Sequence, residues 1–185
     1  MRQLASRTQL RASFLRWCLV TIPGILALGF VSARISGSGP GNPWFDTLNK
    51  PAIYPPPEAF GIVWPVLYIL MSLALALVLA ARGARGRGLA VGVFLVQLAV
   101  NLTWSPLFFQ AHQVTAAFWL IIALNVLVLL TIGLFARVRG LAALLLVPYL
   151  LWIAFAAILN WQFDALNPDA ATLNVSGAAV HIQLQ

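Results

Sequence analysis

The chain has 185 residues, of which 62% are hydrophobic and only 8% charged, with a formal net charge of +7. Soluble globular domains carry about 25% charged residues, so this composition excludes an ordinary water-soluble fold and names lipid as the main solvent. The positive excess, all arginine except Lys50, lies between apolar runs rather than on a basic face, which reads as a topological signal and not as a nucleic-acid site.

Five stretches lack Asp, Glu, Lys and Arg: Trp17–Ala33, Ile62–Ala81, Leu89–Phe109, Val114–Ala136 and Leu141–Phe163. Each has about 17 to 23 residues, enough to cross a hydrocarbon core of about 30 Å as a helix. They are rich in Leu, Ala and Val without period-two alternation, so they do not read as barrel strands. The expected fold is therefore all-α, a polytopic bundle of five transmembrane helices. It divides into a basic tail (1–16), a membrane domain (17–163) and a polar, frayed C-terminal tail (164–185). The first run also fits a signal peptide, with Val31-Ser32-Ala33 as the small-residue site. Its near-spanning length favours retention.

The connections differ in kind. Arg34–Gly61 is long and rich in Gly and Pro. Pro55, Pro56 and Pro57 keep part of it extended, and one short helical turn is expected over Asp46–Asn49. Arg82–Gly88 and Arg137–Gly140 are short and basic, and Gln110–Gln113 is short and uncharged. Nine basic residues (Arg2, Arg7, Arg11, Arg16, Arg82, Arg85, Arg87, Arg137 and Arg139) fall on one side. Arg34, Lys50 and all four acids (Asp46, Glu58, Asp164 and Asp169) fall on the other. The positive-inside rule puts the first side, with the N-terminus, in the cytoplasm. The C-terminus is then outside, in the periplasm if the membrane is a bacterial inner membrane.

Polar groups within spans are costly in lipid and therefore informative. Gln97, Asn101, Trp104 and Phe108 share one helical face, as do Trp64, Tyr68 and Ser72, and Tyr149, Trp152, Ala156 and Asn160. Such stripes fit an aromatic pocket with a few orienting polar groups. They equally fit interhelical glue. Trp17 and Trp161 read as interfacial belt residues. Gly88 and Gly92 fit small-residue helix packing, within a monomer or across a dimer. Cys18 is the one cysteine, and His112 and His181 lack partners at ligand spacing, so no metal site is expected. No carboxylate lies in the spans and no phosphate loop is visible.

Three segments taken together, NPWFDTLNKPAIYPPPEAFGIVWPVLYILM (42–71), QLAVNLTWSPLFF (97–109) and PYLLWIAFAAILN (148–160), resemble the TspO/translocator protein family, also called tryptophan-rich sensory proteins or peripheral-type benzodiazepine receptors. The resemblance covers roughly residues 20 to 163. It implies a five-helix membrane receptor, often a homodimer, that binds porphyrins or related apolar ligands in a cavity closed by the first loop. No resident cofactor is implied; the tetrapyrrole is the ligand. By motif position it assigns ligand binding to Trp44, Lys50, Pro51, Trp64, Tyr68, Asn101, Trp104, Trp152, Phe155, Ala156 and Asn160. Some bacterial members are associated with light-dependent porphyrin breakdown, for which Trp64 and Trp152 are the candidate redox pair. Transport of tetrapyrroles or lipids is a third reading. Ile53 stands where members often carry tryptophan. The sterol motif of animal members is missing, since Trp161 and Asp164 follow Leu159.

Overall fold

In the computed structural model, residues 7–39 and 41–173 are described; expectations for Arg2, His181 and the rest of the tail fall outside them. The helices are α1 (Arg7–Ile35), α2 (Pro43–Thr47), α3 (Pro57–Ala80), α4 (Arg87–Ser105), α5 (Val114–Val138), α6 (Gly140–Leu145) and α7 (Val147–Leu166). Five membrane-crossing units of 24 to 27 residues result: α1 from Arg11 onward, α3, α4 with its extension to Gln110, α5, and α6 with α7. At 1.5 Å per residue the shortest is about 36 Å long, more than the hydrocarbon core requires. The protein is an integral membrane protein. Its outward faces carry large apolar side chains, Trp119 at 65% exposure and Trp161 at 56% among them.

Prolines set the irregularities. Pro57 occupies the first turn of α3, where its missing N–H costs nothing. Pro106 opens a π-helical turn at the end of α4 (Pro106–Gln110), closed by the Ala111 N–H on the Pro106 carbonyl at 2.9 Å. Pro148 follows the break between α6 and α7, so the fifth span is two helices rather than the single run expected.

The spans form a ring in the order α1, α3, α6–α7, α5, α4 and back to α1. Thr21 and Ser72 exchange hydroxyl-to-carbonyl bonds at 3.0 and 3.1 Å between α1 and α3. The Ser32 hydroxyl donates to the Leu102 carbonyl at 2.7 Å between α1 and α4. One apolar core fills the arginine-rich end around Met71, Phe94, Phe135 and Tyr149. A second gathers Trp44, Phe45, Phe108 and Phe163 at the opposite end. Gly88 and Gly92 are exposed and have no neighbour within 4 Å of an added Cβ, so the monomer's own packing does not use them.

Three boundaries differ from the sequence reading. The short turn lies at Pro43–Thr47, not 46–49, because Asn42 caps it, its Oδ1 accepting the Phe45 N–H at 2.9 Å, with Pro43 at the first position. The segment after Phe163 is not a frayed tail throughout. α7 runs to Leu166, and a 3-10 turn (Ala170–Thr172) folds back against the loop. Hydropathy misses this because few apolar groups hold it; backbone carbonyls and one asparagine do. At the other terminus α1 begins at Arg7, inside the segment assigned to a basic tail.

Candidate functional site

A cavity of about 610 Å³ opens among α1, α3, α4, α5 and α7, toward the end that carries the long loop. Its walls are aromatic. Trp64 and Tyr68 lie 5.4 Å apart on α3, Trp104 stacks on Phe108 at 5.0 Å, and Phe60 meets Trp152 edge-on at 5.7 Å. This size and apolar character suit a drug-sized or larger flat ligand. Tyr68 sits against Gly29 of α1: a Cβ there would overlap its ring, so only glycine admits this approach.

The inner end of the cavity is polar and ordered. The Tyr68 hydroxyl donates to Asn101 Oδ1 at 3.1 Å, and Asn101 Nδ2 donates to the Tyr149 hydroxyl at 3.0 Å. Tyr149 in turn donates to Gln97 Oε1 at 3.2 Å. Nearer the loop, Asn160 Oδ1 accepts the Trp104 indole N–H at 3.2 Å, and its Nδ2 donates to the Val114 carbonyl at 3.0 Å. Asn101 and Asn160 thus satisfy one another's helices, as glue does, while also lining the cavity. The two readings of the stripes are not exclusive.

The loop between α1 and α3 forms a lid. Phe45 and Tyr54 reach down into the cavity wall. Trp44 points the other way: its ring stacks on His112 at 4.3 Å and meets Phe108 edge-on at 5.6 Å. Its indole donates to the Ala170 carbonyl at 2.9 Å. His112 adopts φ 56°, a backbone conformation rare outside glycine. Asn49 and Asn167 clasp reciprocally: Asn167 Oδ1 accepts the Asn49 N–H at 2.8 Å, and its Nδ2 donates to the Asn49 carbonyl at 3.0 Å. Burial, and next the Asp46 charge, raise the Tyr54 phenol above its ordinary pKa.

Of the residues assigned from sequence, Trp64, Tyr68, Asn101, Trp104, Trp152, Ala156 and Asn160 line the cavity. Trp44, Lys50 and Pro51 do not. Trp44 is a pin of the lid, and Pro51 is buried within the loop. The exposed Lys50 ammonium donates to the Phe45 carbonyl at 3.5 Å and lies 5.1 Å over the Phe45 ring. Arg34 caps Phe30 in the same way, at 5.1 Å. Neither cation forms an ion pair with a described residue. Phe155 faces a separate groove on the bundle's outer surface. Sequence reasoning passed over Phe45, Phe60 and Phe163. Phe60 continues the Trp64–Tyr68 stripe one turn back, so periodicity contained that signal; nothing in the sequence marked Asn167 or Ala170 as a clasp.

Fold and site together define a five-helix membrane protein with an internal, lidded aromatic cavity. The chain belongs to the TspO/MBR family, whose family model matches residues 20–166. The tryptophan-rich protein TspO of Chlorobaculum tepidum is 41% identical over 145 residues, covering 77% of this chain and 90% of that protein. The tryptophan-rich sensory protein of Cereibacter sphaeroides is 36% identical over 124 residues, 67% of this chain and 77% of its own length. The human translocator protein is 34% identical over 149 residues, 75% and 88% respectively.

Proposed function

We propose that this protein is a membrane receptor that binds a porphyrin, or a related flat apolar ligand, in the lidded cavity. The observation that carries the reading is the cavity itself: about 610 Å³ walled by Trp64, Trp104, Trp152, Phe60 and Phe108. Indole and phenyl faces suit an extended aromatic ring system. A porphyrin's propionates need cations or donors, and Lys50 and Arg34 stand at the same end of the bundle without carboxylate partners. Tyr68 adds a hydroxyl with a free lone pair at the polar end. With the arginine-rich end in the cytoplasm, the lid faces the outer side of a bacterial inner membrane.

Titration of the purified protein with protoporphyrin IX, followed by tryptophan quenching, tests this. A saturable one-site curve is expected. Trp64→Leu and Trp152→Leu should each weaken binding several-fold, since losing an aromatic wall costs about 1 kcal/mol. Unchanged affinity in both variants defeats the cavity reading and leaves the stripes as helix glue alone. Product analysis after illumination of the bound complex separates a receptor from a porphyrin-degrading enzyme.

A further inference from the structure

We infer that the seam between α3 and α7 is a lateral portal, with the Trp152 indole as its gate, through which a bilayer-dissolved aromatic ligand reaches the cavity. This rests on the reading that the cavity binds such a ligand. On the outer, lipid-facing side of this seam lies a second concavity of about 560 Å³, almost wholly apolar in lining. Val63 and Leu67 of α3 and Pro148, Leu151 and Phe155 of α7 form its sides, and Trp152 forms part of its wall. Trp152 also lines the internal cavity. A single indole therefore borders both spaces.

That indole is held differently from those of Trp44 and Trp104. The Trp44 and Trp104 N–H groups donate to Ala170 and Asn160. The Trp152 N–H is buried with no acceptor among the described residues. Rotating Trp152 breaks no hydrogen bond. Its aromatic contacts are the rings of Phe60 and Phe155, at 5.7 and 5.6 Å, and it packs at the edge of the inner core.

The seam is built to part at this level. At the arginine-rich end α3 packs against α6, while its packing against α7 is slight. No hydrogen bond joins α3 to α7 among the described residues, whereas α1 is tied to both α3 and α4 by hydroxyl bonds. The break at Leu146 separates α7 from α6, but Tyr149 and Ile153 keep the first turns of α7 in the inner core, so the opening is a turn of the Trp152 side chain and not a shift of the whole helix. The aqueous mouth, by contrast, is covered by a lid held by Trp44 and the Asn49–Asn167 clasp. A flat apolar ligand concentrates in the acyl-chain region, and the groove faces that region. A protein partner would bring polar groups that this lining leaves unpaired.

The test is the rate of protoporphyrin IX binding to the full chain in phosphatidylcholine nanodiscs, followed by the porphyrin's absorbance shift. Leu151→Trp and Val63→Trp each fill the groove from the lipid side without altering the cavity lining. Leu151 is 66% exposed, so its variant leaves the packed interior intact. Each should slow association by about ten-fold or more, with the equilibrium affinity held within about two-fold, as expected for an obstructed path. Asn167→Ala loosens the lid and should leave the association rate within about two-fold of the native value. Unchanged rates in both groove variants, with faster binding in Asn167→Ala, overturn the portal and make the lidded mouth the route. Absence of saturable binding in the native protein refutes the ligand reading itself, and shows before any variant is made.

Discussion

Trp44→Phe isolates one bond in the lid. The substitution removes the indole N–H that donates to Ala170 at 2.9 Å but keeps an aromatic ring against His112 and Phe108. The bond itself contributes about 0.5–1.5 kcal/mol, and stranding a buried carbonyl costs about 1–3 kcal/mol; Ala170 is 3% exposed, so water does not replace the donor. A net loss of about 1–2 kcal/mol raises the open population of the lid about 5- to 30-fold. Hydrogen exchange reads this directly at the Asp46 amide, bonded to the Asn42 carbonyl at 3.0 Å, and at the Leu48 amide, bonded to the Phe45 carbonyl at 3.3 Å. Both should exchange faster by that factor in Trp44→Phe. Trp44→Ala, which also forfeits the ring contacts, should lose about 3–5 kcal/mol of lid closure. Trp161→Phe, on the exposed face of α7, should change neither amide. Protection that survives Trp44→Ala would refute the argument that this indole holds the lid.

Lys50→Ala should weaken binding of protoporphyrin IX more than of its dimethyl ester, and added salt should erode the acid's advantage, because an exposed pair is screened. Equal losses for acid and ester would assign Lys50 to packing on Phe45 instead. Asn101→Leu removes the bonds to Tyr68 and Tyr149; at about 0.6–1 kcal/mol each, thermal unfolding in detergent should register a loss of about 1–2 kcal/mol. Tyr54 should ionise above its ordinary pKa of 10.0 in an alkaline absorbance titration, and Asp46→Asn should lower its pKa only in part, since burial is the larger cause. The unfolded phenol ionises first as pH rises, so this group contributes a loss of stability above its unfolded pKa and none below it. Reporter fusions after Gly83 and after Gln185 should report opposite sides of the membrane; same-side signals would reject the orientation read from arginine placement.

What the sequence determined by itself is what depends on neighbours along the chain. Span number and approximate limits follow from runs of apolar side chains, because each segment must satisfy its own backbone in lipid as a helix. The inward faces at Trp64–Tyr68, Asn101–Trp104 and Trp152–Asn160 follow from a period of 3.6 residues, and these residues do meet in one cavity. The tertiary structure decided what depends on partners distant in sequence. Trp44 and Phe45 are adjacent aromatic loop residues, yet one turns toward the Ala170 carbonyl and the other into the cavity. Asn167 sits in a segment that hydropathy reads as a tail, and its role exists only because the Asn49 backbone lies beside it. Hydropathy and periodicity record how a side chain partitions and which face it occupies. Hydrogen-bond donors and acceptors are short-ranged and directional, so their pairing is settled only when the packed helices bring two remote groups to within about 3 Å.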